Sequence, residues 1–391
     1  MIVSLQRATA LLSGIVLTMT GLAGLASTAS AQVGGGNGVI AYDQFRSGDP
    51  GSQIWTVDPA TGVETDVSGA SFGDDQPSVS PDGSRIAFRS NNSIFTMTIA
   101  GTGRKNLTPD GQGSSGEPAW SPDGSQLVYT NNGQIVVMDS NGRHRHVIAA
   151  NSGHREPTWS PDGTTIAYTS TADGEQIYAV DPDGSNVRSL SKDPSVADEQ
   201  PEWAPDSKHL LFTSNRFPGF FEIFQMAADG SDVNQIAAIY PSGSYDPAYS
   251  PDGQSLAFTS NDEGAIQIFV QPIAGGAGSA VRVTNEPSNS GDENLSWQPK
   301  VSPRVTAKPH SARPGSTVTV KLSGFGFGET VSLSLKDASG VTTTLGSRVV
   351  SGLGKGSAQV TIPASAAEGR AVLSATGQTT ARRATTKITV T

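Results

Sequence analysis

Apolar residues fall in short runs along most of the chain, and polar turn residues separate them. Ile54-Trp-Thr-Val-Asp58, Ile94-Phe-Thr-Met97, Ile135-Val-Val-Met-Asp139, Ile177-Tyr-Ala-Val-Asp181, Ile223-Phe-Gln-Met226 and Ile268-Phe-Val270 are runs of one type. Rich in β-branched and aromatic residues and bounded by Gly, Asn and Asp, they predict short strands. Ahead of them an aromatic recurs seven residues after a proline, at Phe88, Tyr129, Tyr168, Phe212 and Phe258. Such regularity is what packing between adjacent layers would impose on a second set of strands.

That proline belongs to a phrase: Pro77-Ser-Val-Ser-Pro-Asp-Gly83, Pro118-Ala-Trp-Ser-Pro-Asp-Gly124, Pro157-Thr-Trp-Ser-Pro-Asp-Gly163, Pro201-Glu-Trp-Ala-Pro-Asp-Ser207 and Pro247-Ala-Tyr-Ser-Pro-Asp-Gly253, with an eroded sixth copy at Leu295-Ser-Trp-Gln-Pro299. The second prolines fall at 81, 122, 161, 205, 251 and 299. A period near 40 residues marks a propeller blade or another repeat array. In each copy Pro-Asp-Gly makes the turn: proline presets φ, Asp accepts the central position, and Gly takes φ > 0. Outer strands follow at Arg145–Ile148, Val187–Leu190 and Val281–Val283. Val39-Ile-Ala-Tyr42 is a second strand with no phrase before it, and Leu295-Ser-Trp297 is a first strand with no second after it. Each completes the other, which predicts six blades closed into a ring by a blade shared between the two ends. Closure removes the exposed edges that an open array would leave.

These phrases resemble the WD40-like repeats of TolB-type β-propellers, over roughly residues 36–300. The resemblance implies an all-β propeller that binds partners at the mouth of its channel, without implying the same partner. TolB carries an additional α/β domain before its propeller; here the repeats begin almost directly after the N-terminal segment. Prolyl oligopeptidase-type peptidases append a hydrolase domain to related propellers, whereas the Gly-x-Ser-x-Gly string of this chain, Gly69-Ala-Ser-Phe-Gly73, falls inside the repeats.

Beyond Pro299 aromatics nearly vanish and Val, Thr, Ser and Ala alternate. Val305–Lys308, Ser316–Leu322, Thr330–Leu335, Thr342–Val350, Ala358–Ile362, Ala371–Ala375 and Thr385–Val390 predict about seven strands, the size and spacing of an Ig-like β-sandwich over residues 301–391. Ser323-Gly-Phe-Gly-Phe-Gly-Glu-Thr330 is read as a corner between strands, because it lacks the Lys-Ser/Thr of a phosphate loop. Residues 1–31 are read as a signal peptide. Arg7 precedes an apolar run from Ala8 to Leu25, and Ala29-Ser30-Ala31 ends it with the small residues that cleavage requires. The mature chain, residues 32–391, is thus expected to be exported, secreted or in the cell envelope, and in the periplasm where the host has an outer membrane. No later stretch reaches the roughly 20 apolar residues of a membrane span. A monomer that binds a protein or envelope polymer, and no nucleic acid, is the expectation.

Composition sharpens this. The chain has 391 residues, 45 Gly, 24 Pro and no Cys, which excludes disulfides, thiolate metal sites and a catalytic cysteine. Residues 301–391 hold eleven basic and three acidic side chains, a net of +8; with −10 for the whole chain, residues 1–300 carry −18. The basic module could rest on anionic envelope polymers or on its own acidic propeller, or it could simply be a solvated surface.

Candidate chemistry lies just upstream of the phrase. Asp75, Glu117, Glu156, Glu199, Asp246 and Glu293 occur one or two residues before its first position. Propeller pseudo-symmetry would gather all six at one channel mouth. There they could cap loop amides and pair locally, bind a partner, or hold Ca2+ or another divalent cation. No catalytic residue is assigned and no cofactor is expected beyond that possible cation. The turn aspartates Asp82, Asp123, Asp162, Asp206 and Asp252 are read as structural. Asn215-Arg-Phe-Pro-Gly-Phe-Phe221 adds Arg216, Phe217 and Phe220 as a partner-binding loop, since interface centres favour arginine and aromatics. His154 beside Glu156 could form an acid–base pair, and His144 with His146 reads as surface. The leading function is a non-enzymatic exported propeller with an acidic binding mouth; the alternative is a cation-dependent hydrolase or lyase working in the channel.

Overall fold

The computed structural model describes residues 37–391 apart from 47, 70–72, 110–112, 173, 218, 240–241, 262–263, 276–278, 288–289, 300–302, 326–329, 351–354 and 379–381. The predicted signal segment, half of the Gly-rich corner and the predicted boundary at 300/301 lie outside the described residues. Apart from one short 3-10 turn at Ile273–Gly275, the regular structure described is β.

Six antiparallel four-stranded sheets run in chain order, and each starts with a lead strand carrying the repeated phrase. The lead strands are Asp74–Val79, Ser115–Trp120, His154–Trp159, Asp198–Trp203, Ser244–Tyr249 and Gly291–Pro299. The last of them pairs not with a following strand but with Asn37–Phe45, Ile40 facing Trp297 and Asp43 facing Glu293. The two orphan segments therefore share one sheet, as the strand pattern predicts. Outer strands are shorter or shifted relative to expectation, for example His146–Ala149 and Arg188–Ser189, because fewer apolar neighbours hold them in register.

Hydrophobic packing explains the stacking of sheets. One buried cluster joins each consecutive pair. Trp120, Leu127 and Tyr129 pack on Ala87 and Ile94, and Ala257, Ile268 and Val270 pack on Ile40, Tyr42 and Trp297 between the fifth sheet and the shared one. The aromatic seven residues after the proline is buried in every copy, and in four of the five it meets a ring across from it in its own sheet, Tyr129 facing Val136 instead. Phe88–Phe95, Tyr168–Tyr178, Phe212–Phe224 and Phe258–Phe269 are such in-register pairs, with centroids 5.8–6.0 Å apart. Offset rings at that spacing add to the burial of their area.

The turn ending each lead strand is held by its aspartate. Ser80 Oγ and the Ser84 amide donate to Asp82 Oδ1 at 2.6 and 2.9 Å, and Gly83 follows at φ 65°. Where Ser207 replaces that glycine it still takes φ 59°, and its hydroxyl accepts the Asp162 amide of the preceding sheet at 3.0 Å.

Residues 304–390 form two further sheets, one of three strands and one of five, within a couple of residues of the predicted runs. Alternate residues point inward: Val318, Val320 and Leu322 from one sheet meet Val331, Leu333, Leu335, Ala371 and Leu373 from the other in a single core. This is the alternation expected of strands with one buried face.

Candidate functional site

In every sheet the lead strand bulges at the same place. The residue immediately before the phrase takes a left-handed conformation, with φ between 49° and 56° at Gln76, Glu117, Glu156, Gln200, Asp246 and Asn294. Pairing with the second strand breaks there, between Asp75 and Ser78 and between Gly116 and Ala119 for example, and resumes beyond. All six of these side chains carry an oxygen acceptor. Five of the six left-handed backbone N–H groups, withdrawn from their own ladders, are accepted by the side chain of the equivalent residue in the preceding sheet. Glu117 N donates to Gln76 Oε1, Glu156 N to Glu117 Oε2 and Gln200 N to Glu156 Oε2, all at 2.9 Å. Asp246 N donates to Gln200 Oε1 at 3.1 Å, and the Asn294 amide donates to Asp246 in turn. Asp43 links the two ends: it accepts Gln76 N at 2.9 Å and a bond from the Asn294 side chain. The result is a girdle of side-chain-to-backbone bonds running through all six lead strands. It satisfies amides that the bulges would otherwise leave unpaired.

The six predicted carboxylates therefore do not form one convergent set. Glu117, Glu156 and Asp246 are girdle members. Asp75, Glu199 and Glu293 stand one residue upstream, at a rim position whose other occupants are Gly116, Arg155 and Tyr245. Two arginines divide the rim charge. Arg89 clasps Asp75 through two bonds, and Arg155 donates to Glu175 and Glu199 at 2.8 and 2.5 Å while lying 3.4 Å from Glu156. The spacing rule "acid one or two residues before proline" merged two strand positions that face different surroundings. Among the described residues, no group of three or more His, Asp or Glu side chains is arranged to hold a metal ion.

Burial governs the ionisation of the girdle. It pushes the Glu117 and Glu156 carboxyls up, Glu156 further through the nearby Glu117 charge, and their amide bonds oppose the shift. Asp246 is pushed up to about 7, first by burial and then by the Glu293 charge. Glu199 and Glu293 are also raised, chiefly by burial, with Glu156 and Asp75 adding repulsion.

Below the girdle lies a cavity of about 290 Å³ lined by all six lead strands. Its wall is tiered: a collar of Pro77, Pro118, Pro157, Pro201, Pro247 and Leu295, a ring of small residues, and aromatic rings of Trp120, Trp159, Tyr249 and Trp297. Glu202 lines the small-residue tier, where the other sheets contribute Ser78, Ala119, Thr158, Ala248 and Ser296. Thr158 Oγ1 donates to its Oε2 at 3.2 Å, and burial pushes the carboxyl up to about 7. Sequence reasoning passed over Glu202. Its signal was visible, since it is the one charged residue at the variable position of Pro-x-Trp.

The partner-loop residues separate. Arg216 is turned into its sheet, where it pairs with the fully buried Asp198 and lies over Phe212 and Phe224 at 5.4 and 5.7 Å. Its charge is committed there to Asp198. Phe217 is 47% exposed yet packs 5.8 Å from Phe224, and Phe220 is 39% exposed. Arg104 repeats the arrangement three sheets earlier, paired with buried Asp74 over Phe88 and Phe95. His154 is 6% exposed, edge-on to Tyr168, with Nδ1 unbonded and its pKa lowered by burial. His144 Nδ1 lies 2.6 Å from Asp139 at the surface.

An all-β chain of repeated four-stranded sheets has the architecture of a β-propeller, and comparison shows it to be similar in part to the propeller of TolB. Residues 131–245 match the TolB beta propeller domain. TolB from Acinetobacter baumannii superposes with a TM-score of 0.59 at 20% identity, covering 67% of each chain. A protein described as TolB from Agrobacterium tumefaciens gives 0.51 at 19%, over 67% of this chain and 99% of that one. Hydrazine synthase from Kuenenia stuttgartiensis gives 0.57 at 12%, over 91% of this chain and 68% of that one. At these identities the likeness concerns fold alone. No curated protein matches the chain in sequence. No helix among the described residues is long and apolar enough to cross a membrane.

Proposed function

We propose that the chain is an exported, non-enzymatic binding protein whose interaction surface is the rim of the girdle. In this reading residues 1–31 are a signal peptide, residues 32–300 a closed six-bladed propeller, and residues 301–391 an Ig-like sandwich. Closure is supported by the last lead strand, which pairs with Asn37–Phe45 and lies against both Ser244–Tyr249 and Asp74–Val79. The sandwich reading is supported by two sheets of alternating strands around one core.

The observation that carries the functional reading is the division between girdle and rim. Girdle side chains bond backbone amides and hold the lead strands in place. Asp75, Glu199, Tyr245 and Glu293, one residue upstream, stand on that fixed frame around a cavity mouth. Fixed polar side chains on a rigid scaffold lower the ordering cost of association. The partner is a protein or envelope polymer with a basic face, because the rim is predominantly acidic.

Immobilised full-length protein should capture such a partner from envelope extracts. Charge reversal at Glu199→Lys and Glu293→Lys should release it, and rising salt should weaken capture of the unmodified chain. Capture that is indifferent to both changes would sink the reading. Stoichiometric Ca2+ retained through chelation would instead favour the cation-dependent hydrolase or lyase.

A further inference from the structure

We propose that the cavity below the girdle receives a single cationic head on an alkyl stem, an ammonium or guanidinium, with Glu202 as its counter-charge. This rests on the reading of the rim as a binding mouth and adds the chemistry of what enters it.

The titratable groups that line the cavity are Glu202, Glu117, Glu156, Asp246 and Tyr249, and none of the lining residues is basic. Glu117, Glu156 and Asp246 use their oxygens on neighbouring backbone amides. Glu202 does not. Its one hydrogen bond among the described residues is the 3.2 Å bond from Thr158, and no Lys, Arg or His there pairs with it. A carboxylate in a desolvated cavity without a counter-ion is costly, and a cation that reaches it is correspondingly favoured. The asymmetry is specific, because five of the six equivalent positions are Ser, Ala or Thr and only one carries charge.

The tiers above and below select the form of the cation. An entering group passes the proline collar, which suits methylenes. Its head then lies level with Glu202, above the tier of Trp120, Trp159, Tyr249 and Trp297. Calcium needs six to eight oxygen ligands. At this tier the oxygens are one carboxylate and the Ser78, Thr158 and Ser296 hydroxyls, and Ser296 Oγ already accepts the Val79 amide at 2.9 Å. Lysine and arginine side chains have the required shape. Pairing would ionise Glu202 and expel its proton, so binding strengthens as pH rises through about 7.

The test is calorimetric titration of the full chain with n-butylguanidinium, with n-butanol as the neutral counterpart. Saturable binding of the cation and none of the alcohol is expected. Glu202→Gln, which keeps shape and removes charge, should weaken binding about tenfold or more, while Glu199→Gln at the rim changes it less than about threefold. A thermal melt confirms that each variant folds. A glycine-flanked lysine peptide and its Nε-acetyl form separate the sources: binding of the free peptide alone assigns the site to a partner's side chain, and binding of butylguanidinium alone assigns it to a small alkyl cation. No binding, binding unchanged in Glu202→Gln, or displacement by millimolar Ca2+ overturns the proposal. If the probe fails while rim reversals still release the captured partner, the cavity inference falls and the mouth reading stands. The opposite pattern removes the mouth reading and leaves the cavity.

Discussion

The two ends of the same lead strands treat the same functional group in opposite ways. At the turn end, Asp162 accepts the Thr164 amide and the Ser160 and Thr164 hydroxyls at 2.7–3.0 Å in contact with water, and these bonds hold its carboxyl below the usual range. At the girdle end, Asp246 also accepts an amide, yet burial pushes it up to about 7. Hydrogen bonding to a carboxylate favours ionisation at both ends. What differs is solvent, and at the girdle desolvation outweighs the bonds. The comparison teaches that the girdle position needs an acceptor and not a charge. Gln76 and Gln200 perform there the same bonding as Glu117, Glu156 and Asp246.

The largest effect expected from breaking this arrangement is at its buried neighbour. Asp198→Ala strands Arg216 over Phe212 and Phe224 and should cost about 3 kcal/mol in denaturant unfolding. Next, Gln76→Ala and Glu117→Ala should each cost about 2 kcal/mol, since each leaves one buried amide without its acceptor. Equality of the neutral and the acidic member is the critical result. A much larger loss for Glu117 would restore a role for charge, and Glu117→Gln should stay within about 1 kcal/mol of the parent.

The pH dependence follows from the two signs. Asp246, Glu202 and Asp292, each at about 7 when folded, bind more protons folded than unfolded between their unfolded values near 4 and pH 7. Stability should therefore fall as pH rises through that window. Asp123, Asp162, Asp206 and Asp252, held low, contribute stability that is lost as pH drops below about 4. Maximum stability is expected near pH 5, and Glu202→Gln should flatten the decline between pH 5 and 8 in thermal melts. A stability that rises steadily to pH 8 would contradict the buried state of these groups. The smallest change is at the turn, where Asp162→Asn should cost under about 1 kcal/mol, because the amide oxygen still accepts the Thr164 amide.

Much of the fold was legible because it is written in local chemistry. Pro-Asp-Gly specifies its turn, the aromatic seven residues later specifies a buried strand, and the orphan strands at 39–42 and 295–297 belong to one sheet. The site was legible only in outline. Acidic residues before the phrase drew attention to the correct end of the lead strands, but grouping by charge joined Glu117 to Glu199 and left out Gln76, Gln200 and Asn294. Arg216 looked like an interface residue because its partner Asp198 lies eighteen positions upstream, across a strand pair that spacing alone does not reveal. Glu202 was overlooked because a single glutamate beside a tryptophan has no meaning until five small residues surround it.

By itself the sequence determined the repeat, its turns, the strand alternation of residues 304–390 and the chain's division of charge, since each depends on neighbours a few residues away. Tertiary structure alone decided which carboxylates meet backbone amides, which meet arginine, and which one faces the cavity without a counter-ion. Those outcomes depend on desolvation and on contacts between residues roughly forty positions apart, quantities that exist only once the sheets have packed.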